Sequence, residues 1–76
     1  MNKPIRKTAG KTYWAVLVEH EVGKKPRGRI LSAVRTKKPQ KAIRHNVPNV
    51  ETHVNWFETR KEAQAFLEEA LQEAMA

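Results

Sequence analysis

Three separate stretches of this chain carry strand-like hydrophobic patterns, and near the end the pattern switches to a helical period. In "TYWAVLVEHE", residues 12–21, Trp14, Val16 and Val18 fall on one side of an extended chain and Tyr13, Ala15 and Leu17 on the other. β-Branched and aromatic residues dominate a run too short for a helix, so it predicts a strand. Neither side turns polar before Glu19, which predicts a central or well-covered strand. "VGKKPRG", residues 22–28, has two glycines and a proline and predicts a turn. "RILSAVRT", residues 29–36, predicts a second strand, with Ile30, Ser32 and Val34 on one face and Arg29, Leu31, Ala33 and Arg35 on the other. "ETHVNWF", residues 51–57, predicts a third, with Thr52, Val54 and Trp56 opposed to His53, Asn55 and Phe57. Trp56 and Phe57 are adjacent, so a regular strand cannot point both into one core.

Thr59 and Glu62 then make a T-x-x-E capping box. In that motif the Thr59 hydroxyl accepts from the Glu62 amide, and the Glu62 carboxylate accepts from the Thr59 amide. Behind it, Ala63, Phe66, Leu67, Ala70, Leu71 and Ala74 form one apolar stripe, which predicts an amphipathic helix from about residue 60 to 74. Its outer face carries Glu62, Glu68, Glu69 and Glu73. Residues 37–50, "KKPQKAIRHNVPNV", are the least patterned, bracketed by Pro39 and Pro48. A helical turn over Gln40–His45 and an extended loop both fit them. The expected fold class is α+β: a small three-stranded antiparallel sheet packed on one C-terminal amphipathic helix. Residues 12–76 form this single domain, and residues 1–11, "MNKPIRKTAGK", form a flexible basic N-terminal arm.

Composition narrows the class of protein. The chain has 76 residues and no cysteine, so its core must come from apolar packing or from a partner. It has no run of about 18 apolar residues to span a membrane. The apolar run Trp14–Val18 is too short for a secretory h-region, so a cytoplasmic protein is expected. Charge is segregated. Residues 1–50 hold thirteen Lys/Arg and two acids, a net of +11, and residues 51–76 hold two basics and six glutamates, a net of −4. The basic pole is the candidate surface for a polyanion.

Catalytic patterns do not emerge. The chain lacks aspartate, and its single serine, Ser32, stands mid-strand. "GKKPRG" is not in the order of a P-loop. The histidines His20, His45 and His53 show no ligand spacing. No enzyme activity, metal or cofactor is expected.

The binding candidates are Lys11, the turn residues Lys24, Lys25 and Arg27, and Arg29 and Arg35 from the second strand. Lys37, Lys38, Lys41 and Arg44 follow in the unpatterned segment. His53 and Asn55 on the third strand could hydrogen-bond bases. Trp14 and Trp56 could stack on bases, with Trp14 favoured as the core tryptophan.

Phe57-Glu58-Thr59-Arg60-Lys61-Glu62-Ala63, followed by Ala65-Phe66-Leu67, resembles the strand-to-helix junction of the N-terminal arm-site DNA-binding domain of tyrosine-recombinase phage integrases. Trp14 in the first strand and the "GKKPRG" turn fit the same outline. Similar junctions occur in the hybrid-binding domain of some ribonucleases H. The integrase resemblance implies a sheet lying in the DNA major groove with the helix behind it, and a phage or mobile-element origin.

The leading expectation is therefore a small nucleic-acid-binding module, with DNA preferred and RNA compatible. The alternative is a small phage-type regulatory protein that docks its basic surface on an acidic face of a larger host enzyme. The apolar faces of the first strand also argue for a dimer or an obligate partner.

Overall fold

The computed structural model describes residues 10–75, and the side chains of all of these except 46, 47 and 75. The expected arm thus falls outside the described residues, apart from Gly10 and Lys11, and Lys11 already belongs to a strand. The elements are β1 (Lys11–Glu21), β2 (Arg27–Arg35), β3 (Ala42–Val47), β4 (Val50–Phe57) and α1 (Arg60–Met75). The strands form one antiparallel sheet in the order β2-β1-β4-β3, which places β1 and β4 at the centre.

The sheet has four strands where the hydrophobic pattern predicts three. Residues 42–47 form neither a helical turn nor a loop. They pair with β4, Ala42 opposite Val54 and Arg44 opposite Thr52, and Pro48-Asn49 closes the hairpin. Asn49 has φ 67°. A proline followed by a positive-φ asparagine is the sequence a type II turn takes. The pairing gives the outer edge of β4 the backbone partners it would otherwise lack. A register shift between Arg44 and Val47 bulges β3, so its side chains do not alternate regularly.

The turn between β1 and β2 follows expectation. Gly23 takes φ 81°, and the Lys24 amide donates to the Glu21 carbonyl at 3.0 Å. The Val22 amide donates to the Asn49 carbonyl at 3.1 Å, tying the two hairpin turns together.

Cross-strand register sorts the side chains between two faces. Trp14, Val16 and Val18 of β1 lie with Ile30 of β2 and Phe57 of β4 under α1. Val16 and Ala63 are fully buried there, and Phe66, Leu67, Ala70 and Leu71 pack around them. The Phe57 and Phe66 rings are 5.0 Å apart between centroids. Phe57 thus takes the core place and Trp56 turns to the other side. Gly28 lets the helix approach, because a Cβ there would stand 2.3 Å from Leu67 Cδ1.

The helix starts at a modified capping box. The Glu62 amide donates to the Thr59 hydroxyl at 3.1 Å, as expected. The Glu62 carboxylate accepts from that same hydroxyl at 3.0 Å rather than from the Thr59 amide. α1 lies over β1, β2 and β4 and leaves β3 uncovered, so Ile43 stays 56% exposed. No helix among the described residues is long and apolar enough to cross a membrane.

Candidate nucleic-acid interface

The face of the sheet opposite α1 is covered by no other element of the described residues. Transverse rows across it follow from the register. One row runs Leu31, Ala15, Trp56. The next runs Arg29, Leu17, Val54, Ala42, and the third Arg27, Glu19, Thr52, Arg44. The middle of this face is buried: Ala15 and Val54 are each only 3% exposed, and Tyr13 and Thr52 are buried too. Above that floor stand the partly exposed Trp56 and Leu17, the exposed Leu31, and the arginines.

Arg27, Arg29 and Arg44 converge on a shallow cleft of about 480 Å³ floored by Leu17 and Thr52. Arg27 and Arg29 come from one edge strand and Arg44 from the other. Only a four-strand order brings them to one cleft. Arg27 is already paired, its Nη2 donating to Glu19 Oε1 at 2.7 Å. Among the described residues Arg29, Arg35 and Arg44 have no carboxylate partner, and Arg35 bonds only the neighbouring Val34 carbonyl, at 2.9 Å.

The far end of the face collects the other candidates. Residues 36–41, with Lys37, Lys38 and Lys41, carry the chain from the β2 edge to the β3 edge past the ends of β1 and β4. Lys11 donates to Glu58 Oε1 at 2.7 Å. That hydrogen bond, helped by the charges of Lys11 and Lys38, holds the Glu58 carboxyl below its ordinary range. The same hydrogen bond raises Lys11 above its own. Lys24 and Lys25 sit in the opposite turn, with Lys24 Nζ 3.6 Å from Glu21.

The structure separates two candidates from the rest. His53 and Asn55 pair across β1 with Val18 and Val16, so they occupy the helix-covered face. Together with His20 they line a recess beside Phe66, Ala70 and Glu73. His53 Nε2 lies 2.6 Å from Glu51 Oε1 and His45 Nε2 lies 3.8 Å from Glu51 Oε2. The His20 and His53 rings meet edge to face at 5.5 Å. The bond to His53, with the histidine charges behind it, lowers the Glu51 carboxyl below its usual value. Among the described residues no group of three or more such donors is gathered so as to hold a metal ion.

The counter-charges Glu19 and Glu58 escaped the sequence reading, as did the cleft floor of Leu17 and Thr52. The usable signals were the register that sets Glu19 against Arg27 and the Pro48-Asn49 turn that brings Arg44 back beside β4.

Comparison with protein-family models, with curated proteins and with solved structures finds no match for this chain.

Proposed function

We propose that this protein is a nucleic-acid-binding module that uses the open face of its sheet, with DNA as the first candidate ligand from the junction resemblance. One observation carries the reading. Arg29, Arg35 and Arg44 share the open face without carboxylate partners among the described residues, while Glu62, Glu68 and Glu69 are exposed on the helix behind the sheet. A polyanion is drawn to the first surface and repelled by the second. Lys37, Lys38 and Lys41 extend the attraction along one end, and Lys24 and Lys25 along the other. A cytoplasmic module of this kind, of phage or mobile-element origin, acts by binding and not by catalysis.

The test is titration of labelled random-sequence DNA at 50 and 200 mM salt. Three to four phosphate contacts on a duplex predict a fall in affinity of roughly 40- to 150-fold over that range. Micromolar binding that collapses in this way supports the reading. Absence of binding to any nucleic acid at the lower salt overturns it, and the basic face is then to be tested against an acidic protein surface.

A further inference from the structure

Resting on that reading, we infer that the ligand of the open face is a single strand, its bases laid over Trp56 and the apolar centre and its phosphates held by the β2 arginines. The first argument is dimensional. Four strands set the outer strand axes about 14 Å apart, before side chains are added. The major groove of B-DNA is about 12 Å wide and admits a helix or a two-stranded ribbon. This sheet cannot lie flat in it.

The second argument is the distribution of chemistry. A duplex turns its phosphates outward and keeps its base faces stacked, so apart from thymine methyl groups in the major groove it has little to set against an apolar strip. Here the strip is real: Leu31 is 48% exposed, and Leu17 and Trp56 are partly exposed beside it. Trp56 stands on a central strand and lies outside the cluster packed under the helix. Unstacked bases have the flat apolar faces that would cover such a strip, and each stacked base contributes substantially to affinity. Four-stranded sheets with aromatics exposed on their face bind single-stranded RNA in this manner elsewhere.

The third argument is spacing. Arg27, Arg29 and Arg35 lie on the same side of β2, at its two ends, and Leu31 stands between them on that side. Alternate residues of a strand repeat about every 6.8 Å, close to the interval between successive phosphates of an extended single strand. Arg27 to Arg35 covers about 27 Å, room for about five phosphates. Arg44 stands across the sheet from Arg27, where it can meet a base edge or close over a phosphate. The occupant is thus assigned by charge and by the matching of an apolar centre to base faces. A second copy of the chain is disfavoured, because it would bring the unpaired arginines of the two faces together.

The experiment uses three labelled probes, a twelve-nucleotide oligo(dT), a twelve-nucleotide oligo(U) and a twelve-base-pair duplex DNA, at 50 mM salt. Trp14→Phe leaves Trp56 as the only indole, so its emission reports contact directly. Single strands are expected to bind at least tenfold tighter than the duplex and to quench Trp56. The ratio between the dT and U probes tells whether DNA or RNA is the better strand. Trp56→Ala is expected to lose at least fivefold in single-strand affinity, and Trp56→Phe to retain most of it. Duplex binding equal to or tighter than single-strand binding overturns this inference and leaves the nucleic-acid reading standing. So does single-strand binding that leaves Trp56 emission unchanged. The emission readout keeps the native residue at position 56, so poor folding of Trp56→Ala cannot obscure it. Failure of all three probes overturns both.

Discussion

Lys11 is a candidate phosphate contact whose charge is already engaged at rest. Its partner Glu58 lies 47 residues away, and only the strand register and the β4–α1 junction bring the two together at 2.7 Å. Glu58 is held below 4.5 and Lys11 above 10.5. The sign follows for each group. The lowered carboxyl contributes stability that is full above about pH 4.5 and is lost as pH falls through the Glu58 value in the folded state. The raised ammonium contributes stability that is present below pH 10.5 and is lost as pH rises through the Lys11 value. Both ends are exposed, so the effect is expected to be screened by salt. A carboxyl-carbon NMR titration of Glu58 should give a midpoint below 4.5, moving upward in Lys11→Met. An unchanged midpoint in the variant means that the pair does not persist in solution. Gly28 makes a second residue-scale case. Alanine there sets a methyl 2.3 Å from Leu67 Cδ1 and 3.3 Å from the Leu17 carbonyl oxygen. The leucine tip can turn aside, so the expected cost is about 1 kcal/mol, at the low end for overpacking. Urea unfolding of Gly28→Ala, Leu67→Ala and the double variant checks it: the double variant should lose less than the sum of the singles, because the methyl then fills the space the leucine left.

At the scale of elements, the helix is secured at its first turn and along one stripe, and both were legible in the sequence. Thr59 satisfies the Glu62 amide, and its carbonyl accepts from the Ala63 amide at 3.2 Å. Thr59→Ala removes the side-chain acceptor at an exposed helix start, a change that costs about 1 kcal/mol. In a domain of this size that lowers Tm by about 4–8 °C, measurable by circular dichroism. Glu62→Gln should cost less, because the carboxylate bonds the hydroxyl and leaves no backbone donor unpaired when neutralised. The three predicted strands were legible because each is a short run rich in β-branched and aromatic residues bounded by turn residues, although only β1 sets a full apolar row, Trp14, Val16 and Val18, against the helix, with Ile30 and Phe57 added from its neighbours. β3 was not legible. It is an edge strand that the helix does not cover, so Ile43, Arg44 and His45 are all exposed and no alternation is demanded of them. Its bulge between Arg44 and Val47 breaks what period there is. Its one readable signal was Pro48-Asn49, a turn pair set six residues after Ala42. The candidate site suffered most from this. Without β3, Arg44 reads as a loop cation; separately, the adjacent Trp56 and Phe57 left the core side of β4 undecided, and it is Phe57 that enters the core and takes His53 and Asn55 under the helix with it.

At the scale of the molecule, the segregation of charge along the chain becomes a segregation between faces. The basic pole of residues 1–50 is not uniformly available, however. Glu19 engages Arg27, Glu58 engages Lys11 and Glu21 approaches Lys24, and each of these partners is an acid on or beside the sheet. Among the described residues the cations left without such a partner include Arg29 and Arg44, one from each edge strand, both lining the cleft. Charge reversal therefore belongs at these two. Reversing Arg27 would set a new carboxylate against Glu19 and confuse repulsion within the fold with loss of binding. In Arg29→Glu/Arg44→Glu, loss of two phosphate contacts should reduce the slope of log affinity against log salt by about 1.4 on a single strand and 1.8 on a duplex. Affinity at 50 mM salt should fall at least tenfold, with the thermal midpoint kept as a check on folding. Glu69→Lys adds positive charge to the exposed back of the helix and should leave both affinity and slope close to those of the wild type. The reverse pattern, with Glu69→Lys tightening binding and the arginine pair inert, would place the ligand on the helix side, in the recess beside His20 and His53, and the open face would then have to be explained by some other partner.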